Sequence, residues 1–219
     1  MPRPTTPLLS REKVLATALA LVDATGSFTL PRLARELGVS ASSLYHHVPG
    51  GRTEIVEGVR ALVSRPFAVL RADDGEHWRS FAERWARAYR ASMAAHPRVV
   101  PLLAAQTVTS PEVLAGYEAL AAALERAGAG AHAVLHVITV LDCLVLGSAL
   151  DAGAPVEVWA DGGETTPALG RALHAAGART GEPIGDPTGD PTGDRSAESF
   201  ELGLTSVLTG LQRALGLPG

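Results

Sequence analysis

Between Thr29 and Val48 lies a run of side chains suited to hydrogen bonding with a polyanion and with base edges: Thr29, Arg32, Ser40, Ala41, Ser42, Ser43, Tyr45, His46 and His47. Ser40, Ala41, Ser42 and Ser43 are small, so a helix carrying them can bring its backbone close to bases in a major groove. Tyr45 and His47 can donate to phosphates, and Thr29 and Arg32 can hold the adjacent backbone, which positions a reader without itself reading sequence. His46 is open to either contact or packing, and Thr29 and Ser40 also have the right types for helix caps. Catalytic chemistry is poorly served elsewhere: the chain has no phosphate-binding glycine loop, no nucleophile elbow and no carboxylate pair in a recognisable setting, so no enzyme is expected. His132 and His136 stand one helical turn apart, a spacing that can bind a metal, but no Cys, Asp or Glu joins them at ligand spacing. Packing or dimer contact is the expectation for that pair, with neither metal nor cofactor. Cys143, inside an apolar stretch, reads as a small buried hydrophobe.

These side chains act only if helices present them, and the local sequence supplies the helices. Val14, Leu15, Ala18, Leu19 and Val22 recur at amphipathic spacing between a Ser10 cap and Gly26, which predicts a helix over Ser10–Asp23. Thr29-Leu30-Pro31 opens a second, with Leu30, Leu33, Ala34 and Leu37 inward and Gly38 at its end. Ser40 caps a short third helix, Ala41–His47, which stops before Pro49-Gly50-Gly51. Two short helices joined by Gly38-Val39 make a helix-turn-helix over about 29–48. Arg52–Val63 forms a fourth, its stripe being Ile55, Val56, Val59, Leu62 and Val63. Further helices are predicted over Glu76–Ala95, Val99–Val108, Pro111–Ala127, Ala131–Ala152, Pro167–Ala176 and Ala197–Leu215. The stretch 177–196, with its tandem Gly-Asp-Pro-Thr repeats and almost no apolar side chain, reads as a disordered surface loop.

Composition agrees with an all-α fold. The 219 residues are 46% hydrophobic but only 5% aromatic, and Ala and Leu, the strongest helix formers, dominate. A net charge of −4 argues mildly against nucleic acid, yet residues 1–65 carry eight basic and five acidic side chains, a local +3 that leaves −7 for the rest. The apolar stretch Val134–Leu150 is interrupted by His136, Asp142, Gly147 and Ser148, so it reads as a buried helix with no membrane partner. The N-terminus has no signal-peptide core and the single cysteine excludes an internal disulfide, both of which fit a reducing cytoplasm.

Residues 10–63 resemble the N-terminal domain of the TetR family of transcriptional regulators. The resemblance is carried by Thr29-Leu-Pro-Arg-Leu-Ala-Arg-Glu-Leu-Gly-Val-Ser-Ala-Ser-Ser-Leu-Tyr-His-His-Val48, in which Leu-Gly-Val-Ser followed by Leu-Tyr-x-His-Val is typical. Relatives usually place a Lys at the start of the fourth helix, whereas this chain has Gly50-Gly51-Arg52, and Arg52 is the candidate for that phosphate contact. The second half resembles the tetracycline-repressor-like C-terminal domain at Phe200–Leu211 and, more loosely, at Leu144–Leu150. The resemblance implies an all-α protein in three parts. Residues 1–9 form a flexible arm, 10–63 a three-helix helix-turn-helix head on double-stranded operator DNA, and 64–219 a helical ligand-binding and dimerisation bundle. It further implies a bacterial homodimer in which two helices of each body pair with their mates, and release from a palindromic operator by a small-molecule effector. Aligning on Trp78, His96 and Gly147 puts Phe67, Trp85, Tyr89, Leu103, Gln106, Cys143 and Asp151 at the family's ligand cavity. Leu103 falls where tetracycline-binding members need a histidine for the drug's magnesium, and the lining suits an apolar or aromatic molecule instead. A helical enzyme or scaffold, the rival reading, would lack salt-sensitive retention on DNA.

Overall fold

Ser10 starts the first helix as expected: its hydroxyl accepts from the Lys13 N–H, and α1 (Arg11–Thr25) ends on Gly26, whose φ of 77° is the left-handed conformation that favours glycine. The computed structural model describes residues 9–154, 159, 166–179 and 191–218, and the described residues form ten α-helices and one 3₁₀ turn, without a strand. The arm predicted for residues 1–9 lies almost wholly outside them.

Thr29 caps α2 (Leu30–Glu36) through the Arg32 N–H, and Ser40 caps α3 (Ala41–His47) through the Ser43 N–H. Neither seven-residue helix can bury enough on its own. Leu33, Ala34, Leu44 and Val48 instead pack with Val14, Leu15, Ala18 and Val22 of α1 and with Ile55, Val56 and Val59 of α4 (Gly51–Ala68). Gly58 lets α1 and α4 approach closely, since a Cβ there would lie 2.5 Å from Leu15 Cδ2. Leu62, expected on the inner stripe, is part-exposed at 37%.

Helix α4 is longer than the predicted Arg52–Val63. It continues past Pro66 to Ala68 because Val63, Ser64, Phe67 and Ala68 are buried against the body. The head and the body therefore share one helix, and the boundary drawn after residue 63 falls inside it. Its second half packs on α5 (Trp78–Ala94), α6 (Val100–Ala104) and α7 (Pro111–Arg126), with the 3₁₀ turn Pro97–Val99 between α5 and α6 and with α8 (Ala131–Ala152) packed on α5 and α7. Helix α9 (Pro167–Arg179) follows, and α10 (Pro191–Leu215) packs on α8 and α5. Arg79 donates to Thr209 Oγ1 and Gln212 Oε1, Arg87 pairs with Glu201, and the Trp78 indole donates to the Pro218 carbonyl, which fastens α10 to α5.

Two sequence expectations about element length are corrected. The helix predicted over Val99–Val108 shrinks to Val100–Ala104, for a reason given by the side chains of α4 described below. The predicted loop 177–196 is helical at both ends, because α9 runs on to Arg179 and α10 opens at Pro191, a residue tolerated in a first helical turn. The remainder, 180–190, lies outside the described residues. Helix α8, read from sequence as too interrupted to span a bilayer, is by length and composition long and apolar enough to cross one. It buries Val134, Val137, Leu141, Val145 and Ala149, while Leu135, Val140 and Leu150 on the opposite face stay exposed.

Candidate functional site

Helix α3 stands on the outside of the head, held by Leu44 and Val48 beneath it. Ala41, Ser42, Tyr45 and His46 are exposed, and Tyr45 keeps half its surface in solvent. His46, which the sequence left open between contact and packing, is on the outer face. Ser43 is half-buried, its hydroxyl 2.9 Å from that of Ser40, so both hydroxyls already serve the start of the helix. His47 is half-buried. At the start of α2, Thr29 is exposed, and the Arg32 guanidinium donates to Thr25 Oγ1 at 3.3 Å, which swings it back along α1.

Arg52 is more committed. Its guanidinium donates to the Phe28 carbonyl and lies 4.6 Å above the Phe28 ring, tying the start of α4 to the turn before α2. Gly51, with φ of 59°, lets α4 begin directly beside the Tyr45 ring. The first turn of α4 is satisfied by Glu54, which accepts from the Gly50 N–H at 2.9 Å and pairs with Arg11.

The seven positions aligned on the ligand cavity separate into two groups. Phe67, Trp85 and Tyr89 meet in the body with Tyr117 of α7, ring centroids lying 4.3 to 6.3 Å apart, mostly edge to face. The Trp85 indole donates to the Gly116 carbonyl, and a Cβ on Gly116 would lie 2.9 Å from the Ala68 Cα, so glycine there permits α4 and α7 to touch. Leu103 is buried on α6 within the same hydrophobic core, and Gln106 is half-buried three residues on. Cys143 and Asp151 are elsewhere. Cys143 is exposed, contrary to the expectation of a buried hydrophobe, and Asp151 pairs with Arg195. Both line an open groove of about 310 Å³ between α8 and α10 with Leu144, Ser148, Ser196 and Phe200. The inward polar side chain of α8 is their neighbour Asp142.

Asp142 receives the Tyr117 hydroxyl at 3.2 Å, and that hydroxyl lies 3.2 Å from the Tyr89 hydroxyl. Burial pushes the Asp142 carboxyl up to about 6, against the lowering effects of Tyr117 and Arg60. Burial, helped by the Asp142 charge, also pushes both phenols well above their ordinary range. The structure thus adds Tyr117 and Asp142 to the site. A lone acid in the apolar run of α8 was the available signal for the second.

Two further residues escaped the sequence reading. Arg60 of α4 is buried, pairs with Glu57 at 2.8 Å, and donates to the Leu103 and Gln106 carbonyls at 2.8 and 3.0 Å. The Leu103 carbonyl is one that a longer α6 would have used internally, so Arg60 competes with continuation of the helix. Glu57 accepts the Thr109 and Ser110 N–H groups, each at 3.1 Å, ahead of α7. Burial raises the Glu57 carboxyl, but the hydrogen bonds from Arg60 and Thr109 outweigh it and hold the group below its ordinary value. A second tie joins head and body: Arg98 donates to the Asp23 and Ala24 carbonyls at the end of α1, and His96 Nδ1 lies 2.8 Å from Asp23 Oδ2.

Residues 71–215 match the family model of the tetracyclin repressor-like C-terminal domain. Over 146 residues the chain is 29% identical to the HTH-type transcriptional repressor DrrR1 of Streptomyces coeruleorubidus, covering 65% of this chain and 53% of that protein. It is equally similar over 146 residues to an HTH-type transcriptional regulator of Saccharopolyspora erythraea, covering 66% of this chain and 61% of the relative. The chain therefore matches little more than half the length of these curated relatives. Among solved structures, apo ActR from Streptomyces coelicolor superposes with a TM-score of 0.74 at 25% identity, over 97% of this chain and 99% of that one. ActR in complex with (S)-DNPA gives 0.70 at 25% identity, over 96% and 100%.

Proposed function

Since the chain belongs to the TetR family, with its tetracycline-repressor-like C-terminal domain, we propose that it is a ligand-responsive transcriptional repressor that binds a near-palindromic operator as a homodimer. In this reading α3 enters the major groove. Ala41 and Ser42 meet base edges, with Ser43 and Ser40 behind them, while Tyr45, His46, His47, Thr29 and Arg32 hold phosphates. The exposed apolar side chains Leu135, Val140 and Leu150 of α8 and Leu202 of α10 support pairing with a second copy across these helices. The effector is an aromatic or otherwise apolar organic molecule that works its way into the cluster of Phe67, Trp85, Tyr89 and Tyr117. A crystallised complex of ActR with (S)-DNPA supports effector binding in a protein of the same build.

The observation that carries the reading is the sharing of α4. Phe67 reaches into the aromatic cluster, Glu57 and Arg60 grip the segment between α6 and α7, and Ile55, Val56 and Gly58 belong to the core of the head. A molecule that separates the rings must move α4 or α7. Movement of α4 changes the pose of the head, and release follows only to the extent that the ligand prefers the displaced state. Selecting bound sequences from random DNA with the purified protein tests the first half: a two-fold symmetric site is expected, with half-sites one helical turn apart. A stable monomer on a single asymmetric half-site would overturn it. Titrating aromatic compounds into the protein–operator complex, followed by fluorescence anisotropy, tests the second half.

A further inference from the structure

The geometry points to a binding site for a divalent late transition-metal ion on the outer face of α8, chelated by Nε2 of His132 and Nε2 of His136. Both side chains are exposed on the first two turns of the helix, and their Nε2 atoms lie 2.9 Å apart, each the other's only polar partner among the described residues. The rings stand nearly perpendicular, at 89°, with centroids 4.4 Å apart. With both rings neutral, one Nε2–H donates to the other Nε2; a metal ion bound between the two nitrogens takes both Nε2 lone pairs, and the bridging proton moves to Nδ1 of the ring that held it.

The spacing fits the ion. With metal–nitrogen bonds of about 2.0–2.1 Å, a nitrogen separation of 2.9 Å subtends about 90° at the metal, the cis angle of a tetragonal Cu²⁺ or Ni²⁺ site. Opening the nitrogens by about 0.4 Å, a small ring rotation, reaches the tetrahedral angle Zn²⁺ prefers. The helix fixes the two rings at i and i+4, so little side-chain freedom remains to be lost on binding. No third His, Cys, Asp or Glu joins the pair among the described residues, so water or an outside ligand completes the shell. The site is independent of the DNA and effector readings, but it shares the outer face of α8 with Leu135 and Val140 and therefore requires that the dimer seam leave the first two turns of the helix open.

Isothermal titration of the full chain with Cu²⁺ and with Zn²⁺ tests it. One ion per chain is expected, with Cu²⁺ the tighter, and an affinity reduced at least tenfold in both His132→Ala and His136→Ala while helical circular dichroism is unchanged. A His46→Gln/His47→Gln variant should bind as the parent does. In the Cu²⁺ complex, electron paramagnetic resonance should show two equatorial imidazole nitrogens, reduced to one or none in either variant. Loss in only one of the two variants, or binding that disappears with His46 and His47 instead, overturns the chelate. So does affinity that stays within threefold of the parent in both alanine variants.

Discussion

Replacing Arg60 by Met keeps the aliphatic stem and removes a guanidinium that makes three charge-assisted hydrogen bonds: to Glu57 at 2.8 Å and to the Leu103 and Gln106 carbonyls at 2.8 and 3.0 Å. Hydrogen bonds to a charged group contribute about 1.5–3 kcal/mol each, but the Gln106 carbonyl can be rehydrated, and Glu57, no longer anchored by Arg60, retains weakened bonds to Thr109 and Ser110. The Leu103 carbonyl, on a buried residue, is left with only the Gln106 N–H, which it accepts at 3.1 Å. The net cost should be about 3 kcal/mol, near the low end for breaking a buried pair by removing one partner. Urea denaturation measures it, as a lowered midpoint at unchanged slope. Hydrogen exchange locates it: the Gln106, Thr109 and Ser110 amides should exchange faster, while amides in α1 to α3 should shift only with global stability. Operator release should then need more effector, because α4 no longer grips the segment a ligand displaces. A loss below about 1 kcal/mol, with unchanged exchange at Thr109 and Ser110, would refute the clamp.

Asp142→Asn should stabilise the protein in a pH-dependent way. The folded carboxyl sits at about 6 against an ordinary 3.8, so its contribution is neutral at low pH and becomes unfavourable as pH rises from about 4 to 6. The variant should nearly match the parent at pH 4 and exceed it by about 3 kcal/mol at pH 8, read from paired melts across that range. Tyr117→Phe takes from Asp142 the hydroxyl that donates to it, and should cost about 2 kcal/mol at pH 8 and less at pH 4, checked by the same melts. Arg52→Ala should lower stability by about 1 kcal/mol yet leave the salt dependence of operator binding unchanged, since its guanidinium is spent on Phe28; a slope reduced by about one would restore it as a phosphate contact. Ser42→Ala should change base preference by about 1–3 kcal/mol at one position, whereas Tyr45→Phe should weaken all sequences alike in competition binding.

What the sequence made legible was local chemistry. Ser10, Thr29 and Ser40 each cap the helix they were expected to cap, because capping depends on a hydroxyl and an N–H three residues away. The limits of α8 were equally readable, set by Gly130 and Gly153 on either side of an apolar run. Tertiary partners decided the rest. The end of α6 depends on a guanidinium 43 residues earlier in the chain. The extension of α4 through Pro66 depends on burial against the body. Cys143 and Asp142 differ by one position and by 100° around the helix, so an alignment uncertain by a single residue exchanges an inward acid for an outward thiol. Phe67, Trp85 and Tyr89, aligned to one cavity, do meet in space, because they sit on α4 and α5, where Trp78 fixes the register. Cys143 and Asp151 lie apart from them, on a helix where only Gly147 anchored the alignment.

The lengths of the helices explain why one of them must serve both halves. Seven-residue α2 and α3 carry only three wholly buried side chains between them, Leu33, Ala34 and Leu44, so the reading head cannot hold its shape without a longer neighbour. Helix α4 supplies Ile55, Val56 and Val59 on that side, and about ten residues later it supplies Phe67 to the aromatic cluster. At about 1.5 Å per residue those contacts are some 15 Å apart on one rigid rod. Arg98 and His96, which fasten the end of α1 to the corner after α5, form a second point of attachment beside it. A rod held near one end and pushed near the other rotates rather than translates. On the proposed reading, a molecule that displaced the Phe67 ring would thereby change the angle at which Ser42 and Tyr45 face outward, with no contact between ligand and DNA.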